Sequence, residues 1–243
     1  MKGYHDKQKG IGIIYEDIFL VNGARTAFAK LCGSLANVSP TDLGIFASRA
    51  AITKSDIYAA DVDQVIMSNI GQSSFDCYFL PRHIGLYSSV PINVPALMVQ
   101  RICGSGFETI SAAADQIALG KATVVLSGGT ENMSLAPTLC YGNRMGYPLG
   151  KVEFRDFLWE ALNDTAAVPM GVTAENIAEK YKVSRSDADI FAKLSVDRAI
   201  AATQSNYFAD EVVPINSVVF GISSTPNLKT LTPNTLVLSK RVA

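Results

Sequence analysis

The sequence predicts an α/β layered domain, and three observations point there. Strand and helix signals follow one another in the order strand, helix, strand, strand, helix, strand between residues 18 and 129, the pattern of helices layered on a sheet. A glycine-rich turn, Cys103-Gly104-Ser105-Gly106, separates the third strand from the second helix. The chain has 243 residues, 48% of them hydrophobic, enough for a sizeable core in one large domain or two small ones.

Each element has its own signal. Residues 1–10 are polar and read as a loose tail. Residues 18–22 form a first strand, with Arg25 and Thr26 at its end; Arg25 is open to reading as a surface or helix-capping charge. Ser39-Pro40-Thr41-Asp42 is a helix start, with Ser39 as N-cap, Pro40 at the first position and Asp42 three residues beyond the cap. Leu43, Phe46, Ala47 and Ala50 then supply one buried face. Residues 63–70 form the second strand; residues 71–89 are less regular and contain His83, a titratable group near neutrality that reads more simply as an interface or surface histidine.

Residues 95–102 are a short apolar run without helical period, suited to a buried strand. Beyond the turn, Phe107, Ile110, Ala114 and Ile117 recur at helical spacing, and Gly120 suits a C-cap. Residues 123–129 are an apolar strand ending in glycines. From Thr130 the composition shifts, and Pro137, Gly142, Gly146, Pro148 and Gly150 mark loops. Two helices follow, over 173–181 and from Ser184. Ser184 and Asp187 make a capping-box pattern, and Ile190, Phe191 and Leu194 give the second helix a buried side. Residues 210–215 form a strand. The chain therefore divides into an extension (1–17), an α/β core (18–129), a loop-rich region with helices (130–210), and a strand with an unplaced tail (211–243).

Composition excludes several functions. Net charge is −1, from 21 basic and 22 acidic residues, which argues against a nucleic-acid surface. No apolar run is long enough to span a bilayer, and residues 1–9 lack the apolar core of a secretory signal. The four cysteines (Cys32, Cys77, Cys103, Cys140) show no CxxC pairing. Free thiols in a reducing compartment are expected, hence a cytoplasmic location, with no metal site. Cys32, Cys77 and Cys140 read as ordinary packing residues, and so does Trp159, the only tryptophan.

For Cys103 two readings stay open on spacing alone. It is either a small buried residue or a nucleophile at a strand-to-helix turn. There the unpaired amides and positive end of the helix favour the thiolate, the reactive form. Gly104 and Gly106 would support the turn and an oxyanion by letting a carbonyl approach the backbone.

Residues 93–120 resemble the region around the acyl-accepting cysteine of thiolases. Gly23-Ala24-Arg25-Thr26-Ala27-Phe28 and Gly128-Gly129-Thr130-Glu131-Asn132-Met133-Ser134 are similar to two further thiolase segments in the same order. The resemblance covers residues 18–215 and implies a thiolase-like layered fold. In that fold two similar α/β halves carry an inserted loop domain, of which this chain holds the first half and much of the loop domain. It further implies an acyltransferase that uses coenzyme A thioesters as substrate, with no covalently bound cofactor. Cys103 would carry the acyl group in Claisen condensation or thiolysis of 3-ketoacyl-coenzyme A. Leu158 would contact the coenzyme and Met170 would line the acyl pocket; from the residues alone, both read equally as core side chains. Pro169-Met170 resembles degradative thiolases, where many biosynthetic ones have histidine in place of Pro169. Under the same resemblance Arg25 supports the fold, and the stretch around His83 lies near a dimer contact.

In thiolases a histidine of a Gly-His-Pro segment activates the cysteine, and a second cysteine exchanges the substrate proton. This chain has only His5 and His83, and neither lies in such a segment. The expected partners are therefore acyl-coenzyme A and either a homo-oligomer (dimer or tetramer) or a complementary C-terminal half. The isolated chain is expected to be inactive. The alternative is a thiolase-derived module that binds acyl-coenzyme A or a protein without turnover. A ketoacyl synthase shares the cysteine after a strand, but the Gly128–Ser134 motif and Met170-Gly171-Val172-Thr173-Ala174-Glu175-Asn176 resemble thiolases instead.

Overall fold

The computed structural model describes residues 2–6, 10–163, 166–215 and 234–240. The chain forms two compact units, one of Met1–Asn132 with Glu211–Ala243 and one of Met133–Asp210.

The first unit opens with an antiparallel hairpin, β1 (Lys2–Asp6) and β2 (Gly10–Ile14), where a loose tail was expected. Beyond it, the Tyr15 hydroxyl donates to Asp115 at 2.6 Å. Burial, then that carboxylate, push the Tyr15 hydroxyl well above its ordinary range.

The sheet is made of β3 (Ile18–Thr26), β4 (Gln64–Ser68), β5 (Ala96–Met98), β6 (Val124–Gly129) and two strands named by their place in the chain, β9 (Val212–Val213) and β10 (Asn234–Lys240). Its order is β5-β4-β6-β10-β3-β9. β4 runs parallel to β5 and β6, while β10 is antiparallel to both β6 and β3. The alternation of strand side chains sets the two cores. Val65 and Met67 join one buried cluster with Ile45 and Ile52 of α1 (Pro40–Ser55) and Leu80 and Ile84 of α2 (Leu80–Tyr87). Ile66 and Val125 join another with Ala113, Ala114 and Ile117 of α3 (Ser105–Ala118). Helices thus cover both faces of the sheet.

Sequence signals explain most of these elements. Ser39 caps α1, accepting from the Asp42 amide at 3.0 Å, with Pro40 in the first turn. Leu43 and Ala47 are buried as expected, with Phe46 and Ala50 at the margin. Gly120 follows α3 at φ 69°, the left-handed position a terminating glycine favours. Gly44 lies where α1 meets α2, and a Cβ there would run into the Ile84 side chain.

Several expectations need correction. Residues 95–102 give a three-residue edge strand, β5, whose Leu97 is exposed, not a buried one. Residues 71–89 contain a regular helix, α2, whose Pro81 fits the first turn. On α3 the buried face is Ser105, Thr109, Ala113, Ala114 and Ile117; Phe107 is 81% exposed. Ala114 and Ile117 are buried as expected and Ile110 packs against their cluster, so of the expected stripe only Phe107 faces outward. The unplaced tail has short apolar stretches at 218–220 and 236–238; the second lies in a strand, residues 234–240, between β6 and β3, and the first falls outside the described residues.

The Gly128–Ser134 segment knots this unit together. The Thr130 hydroxyl donates to the Pro40 carbonyl at 2.6 Å. Glu131 accepts from the Asn69 side chain and from the amides of Ile70 and Gly71, at 2.8 to 3.1 Å. The Asn132 amide donates to the carbonyls of Leu35, Ala36 and Val38 at 3.0, 3.1 and 2.7 Å. Arg25 is buried, pairs with Glu211 at 2.9 Å and lies over the Phe28 ring, so it ties β3 to the residue before β9. It is a fold-supporting residue, not a surface charge.

The second unit carries a two-stranded sheet, β7 (Thr138–Leu139) with β8 (Arg155–Asp156), then α4 (Phe157–Leu162), α5 (Met170–Tyr181) and α6 (Arg185–Gln204). α5 starts at Met170, three residues earlier than expected. Ser184 and Asp187 form the reciprocal capping box anticipated for α6. Ile190, Phe191 and Leu194, however, are exposed, Phe191 by 73%. Helical period says which residues share a face, not whether another surface covers it. Trp159 is 60% exposed as well, so it is no core residue. Among the described residues, no helix is long and apolar enough to cross a membrane, and no group of His, Cys, Asp and Glu could hold a metal ion.

Two predictions follow from this packing. Asn132→Ala leaves three carbonyls without their common donor; it is expected to lower unfolding free energy by roughly 2–3 kcal/mol, read from the denaturant midpoint. Asp76 accepts from His83 at 3.0 Å, Ser74 at 2.7 Å and Thr41 at 2.9 Å. Burial opposes its charge, but those bonds outweigh it and hold its carboxyl below the usual range. A lowered folded value stabilises the fold above the ordinary carboxylate range, and that stability is lost as pH falls through the folded value. Asp76→Asn should therefore cost most near neutrality and progressively less on acidification, in melting curves taken across pH.

Candidate functional site

β4, β5 and β6 are mutually aligned, so their carboxyl ends share one edge of the sheet. In α/β folds that edge is where ligands bind. Asn69, the Cys103 turn and Glu131 all follow those ends.

The turn is built from backbone outward. The chain leaves β5 through Val99, whose amide bonds the Met67 carbonyl at 3.1 Å. Ile102 then adopts φ 44°, a left-handed conformation that is an outlier for a β-branched residue. The amide of Gly104 bonds the Arg101 carbonyl at 3.0 Å, and that of Ser105 bonds the Ile102 carbonyl at 3.1 Å. α3 begins at Ser105 with Gly104 as N-cap. The helix therefore starts two residues earlier than expected and takes in half of the glycine-rich turn. Cys103 stands one residue before the cap and is exposed, which rules out a buried packing role for it. Helix geometry leaves the amides of Gly106 and Phe107, in the first turn of α3, without intrahelical acceptors, and the amino end of a helix favours an anion.

The two glycines differ. A Cβ on Gly106 would meet nothing within 4 Å, so its bareness leaves open space rather than room for packing. A Cβ on Gly104 would touch the Arg101 carbonyl oxygen and side chain at 3.4 to 3.7 Å. Arg101 reaches across the turn to Glu108 at 2.7 Å, an exposed ion pair of small energetic weight. The buried Ser105 hydroxyl accepts from the Arg101 amide and donates to the Ile102 carbonyl, both at 2.7 Å.

Leu158 and Met170 lie in the second unit. Asp156 caps α4, accepting from the Leu158 amide at 2.9 Å and the Trp159 amide at 3.4 Å. Leu158 is half-buried. A bridge between Asn163 and Pro169 brings the end of α4 beside the start of α5. Met170 opens α5 and is 54% exposed, so neither it nor Leu158 is committed to a core.

Of the remaining thiols, Cys77 fills its expected packing role: it is buried, and burial pushes its thiol up. Cys32 is exposed at φ 56°, and Cys140 lies half-exposed against Tyr147. His83 bonds Asp76 and lies between Phe79 and Tyr87. Sequence reading missed this pair, and also the left-handed Ile102 and the Ser105 hydroxyl. The Cys-Gly-Ser-Gly pattern contained Ser105, but its partners are backbone atoms and leave no trace in residue spacing.

Residues 18–227 match the family described as thiolase, N-terminal domain. Human mitochondrial 3-ketoacyl-CoA thiolase is 42% identical over 200 residues, 82% of this chain and 50% of that protein. The beta-ketothiolase BktB of Cupriavidus necator is 39% identical over 83% of this chain and 51% of its own length. An acetyl-CoA acetyltransferase of Pseudomonas aeruginosa is 36% identical over 82% and 51%. The crystal structure of the human mitochondrial enzyme in complex with CoA superposes with a TM-score of 0.85 at 34% identity, covering 92% of this chain and 64% of that one. The chain thus spans about half the length of the curated relatives it matches, and by sequence and fold together it belongs to the thiolase family.

Proposed function

We propose that Cys103 accepts the acyl group in a thiolase-type acyltransferase acting on coenzyme A thioesters. The observation that carries the reading is its exposed thiol, set one residue before the N-cap of α3, in a chain whose fold matches thiolases. In thiolysis the Cys103 sulfur attacks the C3 carbonyl of a 3-ketoacyl thioester. The C2–C3 bond then breaks, its electron pair goes to C2, and C2 takes a proton to give acetyl-coenzyme A. The acyl group stays on sulfur until the thiol of a second coenzyme A displaces it. The Cys103 amide and the open backbone at Gly106 support charge developing on the attacked carbonyl oxygen. Leu158 contacts the coenzyme, and Met170, a flexible thioether, lines the acyl pocket.

Turnover needs a base for the thiol and an acid for C2. Apart from His5, the only histidine is His83, which is bonded to Asp76. We read the active assembly as either a homo-oligomer (dimer or tetramer) or this chain with a complementary C-terminal half, in the cytoplasm.

The purified 243-residue chain is expected to show no thiolysis of acetoacetyl-coenzyme A. Its Cys103 should nonetheless react with iodoacetamide faster than Cys32 and Cys140, as scored by peptide mass spectrometry; equal rates at the three thiols would sink the acyl-acceptor reading. Leu158→Ala should weaken coenzyme A binding by about tenfold, the loss of one buried aliphatic contact, with Cys103 labelling unchanged. An unaltered dissociation constant in calorimetry would remove Leu158 from the site.

A further inference from the structure

We propose that Ser105 is a positioning residue. Its hydroxyl clamps the left-handed Ile102 and thereby holds Cys103 at the amino end of α3. The inference rests on the reading of Cys103 above and assigns a role to a neighbour that touches no substrate.

The conformation of Ile102 is the starting point. A β-branched residue at φ 44° is costly, and such residues persist only where their surroundings over-determine them. Glycine would adopt this backbone freely, yet the glycines of the turn are elsewhere: the N-cap Gly104 has φ −84°, and Gly106 lies within the helix. Something other than residue choice holds the bend.

The Ser105 hydroxyl supplies that hold. It accepts from the Arg101 amide and donates to the Ile102 carbonyl, each at 2.7 Å. It thus grips the backbone on both sides of Ile102 at once. Two backbone bonds close the same loop, Gly104 to Arg101 at 3.0 Å and Ser105 to Ile102 at 3.1 Å. Ser105 is 2% exposed, so water has little access to replace the hydroxyl. The ion pair between Arg101 and Glu108 spans the turn outside it but is exposed on the Arg101 side, which leaves the serine as the firm contact.

The geometry fixes Cys103 because it lies between the two gripped residues and the helix cap. Without the hydroxyl, Ile102 can relax toward negative φ. That relaxation carries the following peptide away from the first turn of α3, and Cys103 loses its fixed place just before the helix cap. The thiol stays exposed, but its direction is no longer set by the turn.

The test compares variants of the full chain, with Cys32 and Cys140 as internal reference thiols and melting curves as the folding check. Ser105→Ala should slow iodoacetamide labelling of Cys103 about threefold relative to the reference thiols, as Cys103 loses its fixed place before the helix cap. Ser105→Thr keeps the hydroxyl and should restore the rate, whereas Ser105→Val, its near-isostere, should not. Thr109→Ala removes a buried hydroxyl one turn further on, which bonds the Gly106 carbonyl at 2.7 Å; it should lower the melting temperature and leave the relative rate alone. Should Ser105→Ala not fold, the Thr and Val pair carries the comparison by itself. Equal relative rates in the Thr and Val variants, or an equal slowing by Thr109→Ala, would overturn the proposal. Those results differ from failure of the acyl-acceptor reading, which would appear in the unmodified chain as Cys103 reacting no faster than Cys32 and Cys140.

Discussion

The capture of Glu131 by the backbone of Ile70 and Gly71 is the contact on which the rest of the first unit depends. Two parallel strands, β4 and β6, could pair along their length and still splay beyond it. A single carboxylate receiving backbone amides from the other chain segment prevents this, and charge-assisted bonds of that kind are stronger than neutral ones. Asn132 extends the same knot to the loop before α1, and Thr130 extends it to the first turn of that helix. Sheet edge, helix start and loop are thereby locked at the end of the sheet where the Cys103 turn emerges. The Gly-Gly-Thr-Glu-Asn-Met-Ser signature is thus accounted for by architecture, up to Asn132, without assigning it any part in chemistry. Gly129 belongs to the same argument, since a Cβ there would collide with Ser68.

The site and this knot divide the labour. The knot contributes rigidity below, and the turn contributes one exposed thiol above. What the turn adds is direction. A helix start offers unpaired amides wherever it occurs, but here a left-handed residue swings the chain so that sulfur comes before the cap and not within the helix. The open space over Gly106 is the complement of that arrangement, because a ligand carbonyl can approach amides that no side chain screens.

Much of this was legible in the sequence because it is local. The Ser39 and Ser184 caps, the glycine after α3 and the strands around residues 63–70 and 123–129 depend on near neighbours along the chain, and residue types encode those directly. The errors came where a distant surface decides. Phe107 and Phe191 sit on apolar stripes of correct period yet face outward. β5 is apolar enough for a sheet centre but lies at its edge. β10 was invisible because a strand of short, mixed composition becomes one only when two other strands flank it. The family motifs located Cys103 without difficulty, whereas the bonds of Ser105 and the Asp76–His83 pair run to backbone or across turns that spacing does not register.

The position of β10 bears on how a nascent chain matures. β3 and β6 are not adjacent; the strand between them comes more than a hundred residues after the second of them. While the ribosome is still threading out the intervening helices, these two strands have a gap between them and bare ladder edges on either side of it. Pairings of such long sequence separation form slowly and leave partly built sheets open to self-association. Holdase chaperones that recognise extended, apolar edges would find their substrate in that interval, before β10 slots into place.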